Sequence, residues 1–109
     1  MDEAQFITEL KKLVCKILHT LDRQKPFTID EIKSTSIKII TSTGNPRSID
    51  FRMIVSAYNH LIKNGELTRI QIRDHYSDFH PAYIAAILAN LPNVKWRLKP
   101  ITLLICNKT

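Results

Sequence analysis

Glycine and cysteine are both scarce in this 109-residue chain, which contains two of each. Two glycines leave little room for a glycine-rich loop that could hold a phosphate, so no nucleotide-binding loop of that kind is expected. The cysteines, Cys15 and Cys106, lie near opposite ends of the chain and form no CxxC pair, which argues against a disulfide framework and a structural zinc site. We expect both to be small buried hydrophobic side chains in a reducing compartment.

Long apolar runs are also missing. No segment approaches the ~20 apolar residues that a membrane-spanning helix needs. The first residues, Met1-Asp2-Glu3-Ala4, are acidic, whereas secretory signals and transit peptides begin with basic residues. The sequence therefore predicts no membrane partner and an intracellular protein, either cytoplasmic or nuclear.

What the chain does contain is typical of one globular domain spanning residues 1–109. Apolar residues make up 44% of it and charged residues 24%, and the net charge is +6. The excess is uneven: residues 44–109 carry nine Lys and Arg against four Asp and Glu, whereas residues 1–43 carry seven against six. A basic second half permits a nucleic-acid partner without proving one.

Residues 3–22 show the clearest helical pattern, and Lys25-Pro26 would end this helix. Its apolar residues recur at helical spacing and form one stripe: Phe6, Ile7, Leu10, Leu13, Val14, Ile17, Leu18 and Leu21. Such a stripe indicates either a core-facing helix or a dimerisation helix.

A second helix is predicted over residues 29–35. Thr28 and Glu31 have the spacing of a capping box, and Phe27 could pack on Ile32 as the hydrophobic staple. The segment that follows, residues 35–48, has poor helix formers around Ile37–Ile40, which fits either a short strand or a helix continuation.

A third helix is predicted over residues 46–64. Asn45 would cap it, Pro46 would occupy its first turn, and Gly65 follows its last residue, where a left-handed backbone conformation favours glycine.

Thr68 and Gln71 form a second capping box and predict a short helix over residues 69–76. A strand is the alternative, because Ile70 and Ile72 alternate with polar residues.

A polar turn at Ser77–His80 precedes another predicted helix, which Pro81 begins and Pro92 ends. The segment 94–106 then predicts a β-hairpin with Pro100 at the bend. The polar face of its first strand is cationic and contains Lys95, Arg97 and Lys99.

The order of elements from residue 46 onward resembles that of a winged helix-turn-helix domain. The residues that carry the resemblance are GELTRIQIRDHYSDFHPAYIAAILANLPNVKWRLKPITLLIC, positions 65–106. The resulting expectation is a mainly α fold with a small C-terminal β-hairpin, in which residues 46–106 form the winged-helix-like unit. Residues 1–45 would be a helical extension or half of a second unit. An alternative register would use the helices at 3–22, 29–35 and 46–64, but its central break is too long for the usual turn.

The resemblance implies duplex DNA as the partner, with the second helix of the motif in the major groove and the hairpin along the backbone. The expected phosphate contacts are Thr68, Arg69, Arg73, Lys95, Arg97 and Lys99. The expected groove contacts are His80, Tyr83 and Asn90. The helix over 81–91 contains no Arg or Lys, and its exposed side would be formed by Ala82, Ala85, Ala86, Ala89 and Asn90. Binding is therefore expected to depend mostly on phosphates.

A protein-interaction module is the competing hypothesis. It would act as a homodimer through residues 3–22 or dock in a larger protein assembly, since an alanine-lined helix also suits a protein surface. No catalytic constellation is evident, because His75 and His80 are five residues apart rather than four and neither cysteine has an activating setting. The sequence therefore predicts a non-enzymatic protein with no cofactor and no metal.

Overall fold

The computed structural model describes residues 3–76 and 80–106 and shows a mixed α/β architecture with two antiparallel sheets. The helices in this part of the chain are α1 Glu3–Lys11, α2 Phe51–Asn64, α3 Arg69–His75 and α4 Pro81–Ala89. The strands are β1 Ile17–His19, β2 Pro26–Ile32, β3 Ser36–Ile40, β4 Pro46–Asp50, β5 Glu66–Thr68, β6 Val94–Arg97 and β7 Thr102–Ile105. The expected fold class, mainly α with a small C-terminal hairpin, is therefore wrong.

The first sheet is a meander in which β1, β2, β3 and β4 pair in chain order. Apolar side chains at alternate positions form its buried face: Phe27, Ile29, Ile37, Ile39 and Ile49. Aromatic and β-branched residues at a period of two favour strands, because successive side chains of a strand point to opposite faces. The open choice at Ile37–Ile40 is thus a strand, and the expected N-terminal helical extension is replaced by a sheet.

The helix predicted over residues 29–35 is wrong for the same reason. Thr28 and Glu31 lie within β2, which is bonded to a strand on each side, so no capping box forms. Phe27 lies on the buried face of this sheet instead of acting as a staple. The capping-box spacing is a short signal, and pairing with two neighbouring strands outweighs the few interactions of a single helical turn.

The helix predicted over residues 3–22 ends at Lys11. Cys15 then adopts a left-handed conformation, with φ of 67°, and its amide donates to the carbonyl of Ile29, 2.9 Å away. The chain continues as β1, where Leu18 reaches the core from a strand. Cys15 itself is exposed and Cys106 is half-buried, so the expectation of two buried thiols is also wrong.

The long helix α2 begins five residues later than predicted. Asn45-Pro46 leads into β4, and Asp50 is the residue that caps α2, accepting a hydrogen bond from the amide of Arg52 at 2.8 Å. The predicted end is confirmed: Gly65 has φ of 82°, and its amide donates to the carbonyl of Leu61. A residue with a side chain would be strained in that conformation.

The second half of the chain follows the prediction closely. Thr68 and Gln71 form a complete capping box at the start of α3, which excludes the strand alternative for Ile70 and Ile72. Pro81 begins α4, and β6 and β7 form the predicted hairpin. With β5 they make a second sheet in the order β5-β7-β6. The predicted turn at Ser77–His80 lies, except for His80, outside the described residues.

Helix α4 is at the centre of the molecule. Five consecutive residues of it, Ile84 to Leu88, have no exposed surface. The helix contacts α3 and α2, strand β1 of the first sheet, and both strands of the hairpin. One cluster of buried side chains therefore joins the two sheets.

A hydrogen bond between Nδ1 of His60 and the hydroxyl of Tyr76, 2.7 Å apart, connects α2 to the end of α3. We expect Tyr76→Phe to lower the free energy of unfolding by about 1 kcal/mol, because the half-buried ring of His60 loses its partner. Urea denaturation measures this loss. The same substitution in a His60→Ala background should cost clearly less, and an equal cost there would contradict the role of the bond.

Candidate nucleic-acid interface

The cations predicted on α3 occupy its exposed side. Arg69 is the first residue of the helix, and its amide donates to the carbonyl of Ile101 in the hairpin turn, 3.0 Å away. Arg73 lies one turn further along, with Nε 3.1 Å from Oδ1 of Asp74. The hydroxyl of Thr68 accepts the capping hydrogen bond from Gln71 at 3.1 Å. Thr68 therefore orders the helix start, and Arg69 presents the charge there.

The residues predicted to enter a DNA groove lie in a different setting from the one expected. Ala85 and Ala86 are fully buried, so the prediction that they form an exposed face is wrong. The ring of Tyr83 packs edge-on against Phe27 of β2, with centroids 5.0 Å apart. Asn90 is exposed at the far end of α4, and its side-chain amide donates to the carbonyl of Ala86 at 2.8 Å. The side of α4 that a groove-reading helix would present is thus buried within the chain's own core.

The hairpin keeps its cations exposed, as predicted. Lys95 and Arg97 alternate with Val94 and Trp96 along β6, and Lys99 lies in the turn that follows. Arg97 is opposite Thr102 of β7, which in turn is opposite Thr68 of β5. Neighbouring strands are about 4.8 Å apart. The tip of the hairpin therefore lies beside the first turn of α3.

The structure brings Arg69 together with two cations that the sequence did not single out. A cleft of about 250 Å³ separates the β1–β2 turn from the starts of α3 and α4. Its lining consists of Thr20, Asp22, Arg23, Lys25, Arg69, Ala82 and Tyr83. We call these residues the basic cleft. Three cations and one carboxylate face the space, which gives it an excess of two positive charges.

Hydrogen bonds hold the β1–β2 turn in place. Thr20 is 5% exposed, and its hydroxyl accepts from the amide of Lys25 at 3.0 Å. The backbone of Thr20 bonds to both Lys25 and Gln24, each at 3.0 Å. Arg23 and Lys25, both exposed, are therefore displayed from a backbone fixed at both ends of the turn.

Asp22 links this turn to α3. One of its carboxylate oxygens accepts from the amide of Arg23 at 2.8 Å, and the other lies 3.2 Å from Nη1 of Arg69. The side chain of Arg69 remains 43% exposed. The ion pair uses one nitrogen of the guanidinium, which leaves other N–H donors of Arg69 for a ligand.

The start of α4 forms the remaining wall of the basic cleft. Ala82 and Tyr83 belong to the first turn of the helix, whose amides have no acceptor within the helix and carry its partial positive charge. Burial and, less strongly, the charge of Arg47 lower the pKa of His80 below its usual value. The lowered pKa favours the neutral form of the imidazole.

The site was only partly visible in the sequence. The sequence predicts contacts for Arg69, Tyr83 and the hairpin cations, whereas Arg23 and Lys25 lie beyond the helix predicted over residues 3–22. The signal that could have found them is the polar run Asp22-Arg23-Gln24-Lys25 between two apolar segments, which is typical of a turn. Asn90 lies about 10–12 Å along the helix axis from Ala82 and Tyr83 of the cleft, because each helical residue rises about 1.5 Å.

A larger cleft of about 420 Å³ lies at the start of α2 and is lined by Ile7, Ser34, Thr35, Asp50, Phe51 and Arg52. Its one cation and one carboxylate balance, so it offers no net charge to an anionic ligand.

Within residues 3–76 and 80–106, no group of three or more His, Cys, Asp and Glu is arranged to hold a metal ion. No helix in the same part of the chain is long and apolar enough to cross a membrane.

The chain matches no protein-family model, no curated protein and no solved structure. What the protein binds must therefore be inferred from its own residues.

Proposed function

We propose that this protein is a non-enzymatic DNA-binding protein, either a small regulator or an accessory factor of DNA processing, that holds duplex DNA through its phosphates. The observation that carries the proposal is the convergence of Arg23, Lys25 and Arg69 on one cleft beside the cationic hairpin. Phosphate contacts dominate the affinity of proteins for DNA. A DNA partner would place the protein inside the cell, in the cytoplasm or the nucleus.

The likeness of residues 46–106 to a winged helix-turn-helix domain stays a prediction, since no family model or solved structure matches the chain, and the element order after residue 50 is compatible with it. Helix, strand, two helices and hairpin follow one another there, and β7, the last strand, is central in its sheet. The buried position of α4 removes the groove-reading contact from the proposal, so His80, Tyr83 and Asn90 are not assigned to bases. The proposed binding is insensitive to DNA sequence.

The competing hypothesis, a protein-interaction module, is based on the apolar stripe of residues 3–22 and the alanines of α4, and most of these side chains are buried. Seven of the eight side chains of the predicted apolar stripe are buried or half-buried in this chain's own core, and Ile17, at 67%, is exposed. The alanines of α4 are likewise covered. A homodimer through residues 3–22 and docking to a larger protein assembly stay predictions.

Titration of a fluorescent 20-base-pair duplex tests the proposal. At ~50 mM salt we expect a dissociation constant between ~1 and ~100 µM, which is the usual range for non-specific binding to DNA. The logarithm of the binding constant should fall with the logarithm of salt concentration, with a slope of about −0.9 for each phosphate contacted. Two duplexes of unrelated sequence should bind equally. No binding at 100 µM protein would refute the proposal.

Asp22→Asn should tighten binding to the duplex. The substitution removes the one carboxylate of the basic cleft, and a repulsive charge about 4 Å away in water costs about 1 kcal/mol, or about fivefold in affinity. The lost ion pair with Arg69 is exposed and should change stability by less than about 1 kcal/mol.

The matched control for this variant is Asp30→Asn, which breaks the exposed ion pair between Asp30 and Lys38 at 3.5 Å on the first sheet. Both variants change the net charge equally. An equal gain in affinity in the two would show that overall charge, not the cleft, determines binding.

A further inference from the structure

The shape of the basic cleft restricts which phosphate can enter it. The β1–β2 turn forms one wall, and the starts of α3 and α4 form the others. The cleft of about 250 Å³ has room for a phosphate group and the part of the sugar that carries it, while the rest of a duplex would lie outside it. Phosphates inside a duplex lie on a convex rod, whereas a phosphate at a strand end projects from it.

The charge of the cleft matches a terminal phosphate better than an internal one. Arg23, Lys25 and Arg69 less Asp22 leave two positive charges in the lining. A phosphomonoester carries a charge of about −1.5 to −2 at pH 7, whereas the internal phosphodiester carries −1. A terminal phosphate also has three non-ester oxygens to accept hydrogen bonds, against two for a diester.

The donors that face the cleft suit such an acceptor. The guanidinium of Arg69 is anchored by Asp22 through one nitrogen, so it is held in place while other N–H groups stay exposed. A planar guanidinium can bind two phosphate oxygens at once. Arg23 and Lys25 reach the same space from the opposite wall, so a phosphate between the walls is contacted from both sides.

We propose that the basic cleft binds the terminal phosphate of a DNA strand, so that the protein prefers phosphorylated strand ends. The inference rests on the proposed function and adds the substrate class to it. The neighbouring hairpin favours a nucleic acid over a phosphorylated protein, because the hairpin carries the exposed Arg97 and Lys99 and its tip lies beside the first turn of α3.

A DNA stem-loop with a single blunt end provides the test. Three forms are compared by competition against a fluorescent duplex: a 5′-phosphate, a 3′-phosphate, and hydroxyls at both positions. We expect one or both phosphorylated forms to bind about tenfold more tightly than the hydroxyl form, because the extra charge meets charged donors. The comparison of the 5′ and 3′ forms identifies the end that is recognised.

The double variant Arg23→Ala/Lys25→Ala should reduce this preference to less than about twofold and leave binding of the hydroxyl form weakened but measurable. Both residues are exposed, so the fold should be retained, which thermal unfolding checks. The matched control, Lys16→Ala/Lys63→Ala, removes two exposed cations elsewhere and should keep the tenfold preference.

Equal affinity for all three forms would overturn the terminal-phosphate assignment while leaving the proposed DNA binding intact. Binding to none of them would overturn both. A phosphoserine peptide that competes as strongly as the phosphorylated stem-loop would overturn the assignment to nucleic acid.

Discussion

Replacing Ala86 with arginine will unfold the protein. Ala86 has no exposed surface, and its neighbours along α4 are equally buried between the first sheet and the hairpin. The longer side chain must displace well-packed neighbours, which costs about 1–3 kcal/mol. An unpaired charge in the interior adds several kcal/mol. Since domains of this size are stable by only about 5–15 kcal/mol, the sum is comparable to the whole free energy of unfolding.

Circular dichroism and urea denaturation measure this effect. Asn90→Arg is the control, because Asn90 is exposed at the end of the same helix and loses only the hydrogen bond to the carbonyl of Ala86. That variant should stay folded, with a loss of about 1 kcal/mol. If Ala86→Arg were folded and bound DNA more tightly, α4 would be accessible in the way a groove-reading helix must be, and its covered position would be wrong.

Removing all three cations of the basic cleft will weaken binding to the duplex by about 100-fold. Each of Arg23, Lys25 and Arg69 is expected to contact phosphate, and each lost contact should cost about 1 kcal/mol. The triple alanine variant should also flatten the salt dependence by about 0.9 in slope, because the cleft holds one phosphate and each phosphate contact contributes about 0.9. Fluorescence anisotropy over a series of salt concentrations gives both quantities.

A second triple variant separates local contacts from total charge. Lys16→Ala/Lys33→Ala/Lys63→Ala lowers the net charge by the same three units at exposed positions outside the cleft. Lys33 has one exposed ion pair, to Glu31 at 3.6 Å, which contributes little to stability. We expect this control to weaken binding by less than about fivefold. Similar losses in the two variants would refute the cleft as the binding site.

Local signals explain why the second half of the chain was predictable. The capping box at Thr68, the proline at the start of α4 and the glycine after α2 each act within a few residues of their position in the sequence. Such signals depend on backbone hydrogen bonds and allowed dihedral angles, not on distant partners. The alternation along β6 is equally local in the sequence, although Trp96 on its apolar side is 40% exposed.

The first half depends on partners that are distant in the sequence. Phe27 and Ile29 fit a strand only because β1 and β3 pair on both sides, and the Thr28–Glu31 spacing satisfies a helix signal as well as a strand. The spacing of the apolar residues from Leu13 to Leu21 is compatible with two structures. One is a helix with an apolar stripe, and the other is a turn followed by a strand. Tertiary pairing decided between patterns that the sequence leaves nearly equal.

The same distinction applies to the basic cleft. Arg69 could be predicted because a capped helix start is a local feature. Arg23 and Lys25 could not, because the wall opposite them comes from residues more than 40 positions later in the chain. Asp22 and Arg69, 47 positions apart, are brought together by the tertiary fold.

The position of α4 also determines how the molecule can be divided. The helix contacts both the four-stranded sheet and the three-stranded sheet, and the ring of Tyr83 packs against the ring of Phe27. Cutting the chain after residue 50 would expose apolar side chains of α4 in the carboxyl-terminal fragment. It would also expose the apolar face of the first sheet in the amino-terminal fragment. The segments before and after residue 50 therefore depend on each other for folding. Gene fusions and truncations should keep both segments in one chain.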